Sequence, residues 1–199
     1  VKPFYRACHF VLRVFLRTYC KLKTHGVENV PQKGGVIIAS NHIGAGDPPF
    51  VGGGIHRESY FLAKKELFNN GLLRTLITSL NAIPVDRSTL DQRAIEAAEN
   101  ALKDGKALIM FPEGTRSKTG QLGRGKPGIG LLARKALVPI VPAHIWNSRG
   151  FFKLPFTGRR LTIKYGNPID VAWIGSAPDN KEGYRQIAEE VMARIRALE

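Results

Sequence analysis

The residues best placed to do chemistry lie in residues 36–50, VIIASNHIGAGDPPF. The apolar run Val36-Ile37-Ile38-Ala39 reads as a short buried strand. It delivers His42 to the point where a rigid element gives way to a loop. Pro48 and Pro49 cannot continue a central strand, so the chain is expected to turn there. Gly44 and Gly46 let the loop fold back and carry the Asp47 carboxylate to the imidazole. A carboxylate on one ring nitrogen fixes the tautomer and leaves the other nitrogen as a base near neutral pH. The pair is part of a catalytic triad without its serine. Two blander readings stand beside it. A His followed by an Asp is often an ordinary turn pair. A metal pair would need further ligands at a recognised spacing, and none are nearby.

A second group follows another apolar run. Residues 107–111, ALIMF, predict a buried strand opening into Pro112-Glu113-Gly114-Thr115-Arg116-Ser117. Lys118, Arg124 and Lys126 come next in a glycine-rich loop. Arginine offers a planar donor fork for phosphate oxygens, and glycines let backbone amides approach the same anion. The order is not that of a nucleotide P-loop. A helix predicted from Gly128 would add its N-terminus to an anion site. Lys64 and Lys65 close a third predicted strand, 59–63, as a solvated corner or as weaker phosphate ligands. Arg87 has the same standing, and Asp86 beside it is read as the structural partner of a nearby cation. His144 lies in the apolar run 138–145 and reads as a core residue.

The elements that must position these groups alternate. Helical spacing is predicted over 71–83, 91–103, 128–136 and 181–198, between strands at 36–39, 59–63, 83–85, 107–111, 138–145 and 161–165. Residues 24–35 read as a connector. The polar groups gather at strand ends, which predicts an α/β single domain with a central sheet flanked by helices and ligands along one sheet edge. Residues 4–22 have helical periodicity, with Arg6, Arg13 and Arg17 on one line and Phe4, Val11 and Phe15 nearly opposite. This predicts a basic amphipathic helix over 1–23, lying in a membrane interface or packed on the core, ahead of a catalytic domain over 24–199.

Composition bounds the partners. The chain has 199 residues, enough for one domain with a substantial core, and 30 basic against 16 acidic residues give a net charge of +14. Such an excess points to a polyanionic surface or ligand. Nucleic acid would require interleaved aromatics or a recognised module, and neither is found. No apolar run approaches the ~20 residues of a membrane span, and no cleavable signal pattern is visible. The chain opens on Val, so an upstream anchor stays open. Cys8 and Cys20, on one helix, would stand ~18 Å apart at ~1.5 Å per residue, too far to bridge. A reducing compartment is expected.

Four segments occur together and in order: NHIGAGD at 41–47, IPVDR at 83–87, FPEGTRS at 111–117 and VPIVP at 138–142, with AKKELF at 63–68. Over roughly residues 25–170 this set resembles the bacterial glycerolipid acyltransferases of the 1-acylglycerol-3-phosphate acyltransferase type. The family's first loop commonly carries Ser and an apolar residue where this chain has Gly44-Ala45-Gly46, which predicts a more mobile loop. The resemblance implies acyl-CoA or acyl-carrier protein as donor and lysophosphatidic acid as acceptor, with phosphatidic acid as product. It implies that His42 and Asp47 act without a covalent acyl-enzyme. On this reading Arg116 is the first choice for the acceptor phosphate, in a loop shaped by Glu113 and Gly114 and including Thr115, with Lys64, Lys65 and Arg87 as weaker candidates. No metal or resident cofactor is expected, and the enzyme would sit peripherally or monotopically on the cytoplasmic side of the cell membrane, against anionic lipids. The residues agree, since no Gly-x-Ser-x-Gly elbow and no cysteine near His42 supply a nucleophile. Two alternatives remain at this level: a different acceptor alcohol such as glycerol 3-phosphate or another lysolipid, and a non-enzymatic basic module binding nucleic acid or anionic lipid.

Overall fold

The computed structural model describes residues 3–86 and 91–199. In chain order the elements are α1 (Pro3–Thr18), β1 (Lys23–His25), β2 (Val36–Ser40), α2 (Asp47–Gly54), β3 (Ser59–Lys64), α3 (Gly71–Ser79), β4 (Ala82–Val85), α4 (Gln92–Lys103), β5 (Ala107–Met110), α5 (Gly128–Ala136), β6 (Ile140–Trp146), α6 (Leu154–Thr157), β7 (Thr162–Tyr165), α7 (Val171–Ser176) and α8 (Lys181–Arg196). Short 3-10 turns follow β1 and β3 and precede α6.

The strands form one seven-stranded mixed sheet in the order β1-β7-β6-β2-β5-β3-β4. All pairings are parallel except β6 with β7. β2 lies at the centre and is buried along its whole length, because both faces of the sheet are covered. Ile37, Ala39, Leu108 and Met110 point to one apolar layer with α4, α5 and α8. Val36, Ile38 and Ile109 point to the other, with Leu16 of α1 and with Phe50 and Val51 of α2. The α/β single-domain architecture is as expected.

Several boundaries differ. The connector 24–35 contains most of β1, which pairs with β7, Lys23 opposite Thr162, a long-range contact that local pattern does not signal. The expected turn at Asp47-Pro48-Pro49 and the glycines after it form α2. Proline suits a first helical turn, where its missing N–H has no partner to lose. The three glycines act as a close-packing surface. A Cβ at Gly53 would stand 2.6 Å from Leu16 of α1, and one at Gly54 would stand 2.3 Å from the Tyr165 hydroxyl. α1 ends at Thr18, which leaves Cys20 beyond it; both cysteines are free. The 71–83 helix stops at Ser79, because Ala82 already pairs in β4.

α1 packs on the domain, as the second reading of its sequence expects. Tyr5 and Leu16 are buried against the domain, while Phe4, Phe10, Val11 and Val14 are exposed. Among the described residues no helix is long and apolar enough to cross a membrane.

Candidate active site

The sheet carries both chemical groups to one edge. β2 and β5 run parallel as neighbours, so the loops after their C-terminal ends emerge side by side. His42 Nδ1 lies 2.8 Å from Asp47 Oδ2. The same oxygen accepts the Ile43 amide at 2.7 Å and the Gly44 amide at 2.8 Å. Asp47 is fully buried in the first turn of α2, where a negative charge also meets the favourable end of the helix dipole. Its other oxygen, Oδ1, has no partner among the described residues. With the Nδ1 proton directed at Asp47, the lone pair of the imidazole is on Nε2. The ring stacks on Phe111, with centroids 4.1 Å apart. The Gly44–Gly46 loop, expected to be mobile, is fastened at its start by the Ile43 and Gly44 amides on Asp47.

The second loop holds the first. Glu113 is buried; its Oε1 accepts the His42 amide at 3.3 Å and its Oε2 accepts the Gly123 amide at 2.9 Å. The Ser117 amide donates to the His42 carbonyl at 2.7 Å. Glu113 therefore shapes the backbone around the imidazole, and its negative charge makes it no ligand for a phosphate. Gly114 has φ +70°, a conformation that L side chains rarely adopt, and a Cβ there would stand 2.9 Å from Lys126 Nζ.

Two cavities lie at this sheet edge. One, of about 280 Å³, is mainly apolar and lined by His42 with Leu62, Val85, Ile109, Phe111 and Ile129; Gly114 and Lys126 stand in its wall. The other, of about 570 Å³, begins at Ile43 and Gly44, the residues after His42, and is lined by Thr115, Arg116, Lys118 and Arg149. Arg116 is exposed, and its guanidinium has no hydrogen-bonded or charged partner among the described residues. Lys64 pairs with Glu66 at 3.1 Å and Lys65 pairs with Asp86; both lysines are exposed and line neither cavity. The Asp86 that holds Lys65 itself lines the apolar cavity. Arg87 lies outside the described residues. His144 is buried on β6 and lines neither cavity. Its Nε2 meets Glu199 at 3.5 Å, while its Nδ1 has no hydrogen-bond partner among the described residues. No group of three or more His, Cys, Asp or Glu among the described residues could hold a metal ion.

Two positioning residues escaped the sequence reading. Asn41 clips the end of β2 to β6, accepting the Ile145 amide at 2.8 Å and donating to the Ile145 carbonyl at 3.1 Å. Arg149 donates to the carbonyls of Ile43 at 3.3 Å, Lys118 at 2.8 Å and Ser117, so one guanidinium ties the loops after β2 and β5 together. Asn41 had a signal in its place beside His42. Arg149 had none, because its partners are backbone carbonyls far from it in sequence.

A buried His-Asp pair stands at the strand edge of an α/β sheet, with His42 in the wall of an apolar cavity and one residue from a cationic one. The chain belongs to the acyltransferase family: the family model described as Acyltransferase matches residues 21–146. It is similar to the 1-acyl-sn-glycerol-3-phosphate acyltransferase of Bacillus subtilis (strain 168), with 32% identity over 197 residues covering 98% of this chain and 96% of the relative. It is also similar to the enzyme of that name from Streptococcus pneumoniae, with 30% identity over 178 residues, 88% of this chain and 65% of the relative. The crystal structure of the 1-acyl-sn-glycerophosphate acyltransferase PlsC from Thermotoga maritima superposes with a TM-score of 0.71 at 25% identity, covering 97% of this chain and 81% of that one.

Proposed function

We propose that this acyltransferase moves an acyl chain from acyl-CoA or acyl-carrier protein to the sn-2 hydroxyl of 1-acylglycerol 3-phosphate, giving phosphatidic acid. The observation that carries this reading is the position of His42, in the wall of the apolar cavity and one residue from the cationic one. An amphiphile with an acyl chain in the first and a phosphate in the second would present its glycerol oxygen to the imidazole.

In this mechanism Nε2 of His42 takes the hydroxyl proton, and the oxygen attacks the thioester carbonyl carbon. The resulting tetrahedral oxyanion collapses by expelling the thiolate, which recovers the proton from Nε2. Asp47 holds the tautomer and stabilises the imidazolium between the two transfers. No acyl-enzyme forms. General-base action contributes ~10²–10⁴-fold, and holding two substrates together supplies a further large factor. Arg116 takes the acceptor phosphate with a planar donor fork, in a loop shaped by Glu113 and Gly114.

The lipid product and acceptor place the enzyme at a bilayer. The exposed Phe4, Phe10, Val11 and Val14 of α1 enter the interface, and the arginines along its flank stand at headgroup level. The thioester donors are soluble, so the site faces the cytoplasmic side. Attachment is peripheral or monotopic.

The test is thiol release from acyl-CoA across a panel of acceptor alcohols, with wild type and Arg116→Ala. Lysophosphatidic acid is expected to be the best acceptor, and the variant is expected to raise its KM with a smaller change in the KM of the donor. Equal turnover with a neutral lysolipid, or an effect confined to the donor, refutes the assignment of the phosphate.

A further inference from the structure

A cavity of about 660 Å³ lies between α1 and the chain linking α2 to β3, lined by Arg6, His9, Arg13, Arg17, His56 and Arg57, with Glu58 also in its wall. It is remote from His42. β2, β5 and β3 are parallel, the catalytic loops follow their C-terminal ends, and residues 55–58 precede the N-terminal end of β3.

Its charges are arranged against stability. Arg13 and Arg17 are four positions apart on one helix, a like-charge pair that destabilises. Arg13 Nη1 reaches the Ile55 carbonyl at 3.3 Å and His56 Nδ1 at 3.0 Å, neither of which neutralises it. The guanidinium groups of Arg6 and Arg17 have no hydrogen-bonded or oppositely charged partner among the described residues. The one carboxylate in the wall, Glu58, is engaged elsewhere, by Lys106 at 2.9 Å and Asn81 at 3.0 Å. Arg57 is held by the carbonyls of Pro31, Gly34 and Gly105 and contributes charge without a free fork. Burial, with the nearby arginines, pulls both His9 and His56 below the usual histidine value. Cations gathered without a counter-ion in a concave site call for an anion with several oxygens, and guanidinium forks fit phosphate.

We infer that Arg6, Arg13 and Arg17, with His56, form a second phosphate-type anion site, separate from the catalytic one. A phosphodiester or phosphomonoester headgroup of a bilayer lipid is the source that its neighbourhood favours. Phe10 and Val14 of the same helix are exposed beside it, so the helix reaches acyl chains and headgroup together. The lipid source rests on the membrane-surface reading above; the anion chemistry does not.

The test compares Arg6→Gln/Arg17→Gln with Arg185→Gln/Arg194→Gln in the full chain. The second variant removes the same charge from α8, where both arginines already pair with glutamates. Neither guanidinium of the first variant has a bond to lose among the described residues, so both proteins are expected to fold with near-native Tm. Binding to phosphatidylcholine vesicles with and without phosphatidylglycerol is measured by sedimentation. Loss of two headgroup arginines is expected to weaken binding to the anionic vesicles roughly 30-fold, at ~1 kcal/mol each. The control is expected to change it by less than about threefold. Equal losses in the two variants mean diffuse charge and overturn the site. In parallel, inorganic phosphate is titrated against the His56 imidazole signal. A phosphate response that the first variant abolishes, with vesicle binding equal to wild type, keeps the anion site and overturns its lipid source. Absence of both effects overturns the whole inference. Thioester turnover with a short-chain acceptor dissolved as monomers is read separately, and its failure in the wild type would strike the catalytic reading alone.

Discussion

Replacing Asp47 with asparagine separates geometry from charge at the proposed base. Oδ2 accepts three donors, from His42 Nδ1 and the amides of Ile43 and Gly44, while Oδ1 accepts none. The side-chain amide of the Asp47→Asn variant therefore has one workable orientation, with its oxygen on the three donors and its NH₂ in place of the orphaned oxygen. The reverse orientation would set donors against donors. A buried NH₂ without a partner costs ~1–3 kcal/mol. At ~2–4 °C per kcal/mol for a domain of this size, the loss in Tm stays below about 12 °C, and the enzyme is folded at 25 °C. The imidazole keeps its tautomer but loses the negative charge that stabilises the imidazolium. The general-base share of ~10²–10⁴-fold is at stake, equal to ~2.7–5.4 kcal/mol in the barrier. The assay is steady-state thiol release with saturating donor and acceptor, beside a melting curve. We expect kcat to fall at least ~100-fold with little change in either KM. In a His42→Ala background the Asp47→Asn change should then add almost nothing, because the pair acts as a unit. A folded variant with kcat within about threefold of wild type would refute the role of the pair, since it falls far short of a general-base contribution.

Three further outcomes follow from named contacts. Arg149→Ala unties the loops at Ile43 and Ser117–Lys118; kcat is expected to fall ~10-fold or more with a small loss in Tm, and unchanged kinetics would show that the loops hold without it. Gly54→Ala drives a Cβ into the Tyr165 hydroxyl and breaks its 2.9 Å bond to the Val51 carbonyl, so calorimetry should show destabilisation of ~1–3 kcal/mol. Burial holds His9 and His144 below the usual histidine value. The unfolded chain then binds more protons than the folded one as pH falls through about 6.5, so stability present at pH 7 declines towards pH 5. His144→Gln should flatten that part of the Tm–pH curve, and an unchanged slope would remove His144 as a contributor.

Much of the site is legible before folding, and for a local reason. An apolar run just before His42, and another ending at Phe111, state their strands through composition alone. The pairing of His42 with Asp47 spans five positions, within reach of one loop and one helical turn. Arg116 is close to the Glu113 that shapes its loop for the same reason. The alternation of strands with helices then requires the loops to share an edge.

Other features were decided only by tertiary structure. Strand order is not written in any segment, so nothing local told that β5 would lie beside β2 and bring Glu113 to the His42 amide. Lys64 and Lys65 carry the charge to hold a phosphate, but only the fold shows that each meets a carboxylate, Glu66 for Lys64 and, for Lys65, the Asp86 that lines the apolar cavity. The glycines of α2 suggested a loop; they are helical because α1 and Tyr165 press against them from elements distant in sequence. Sequence determined which groups have the chemistry and which short spans hold them, because hydrogen bonds and periodicity act over a few residues. The sheet decided which of those groups meet, because its register is set by burying two apolar faces at once.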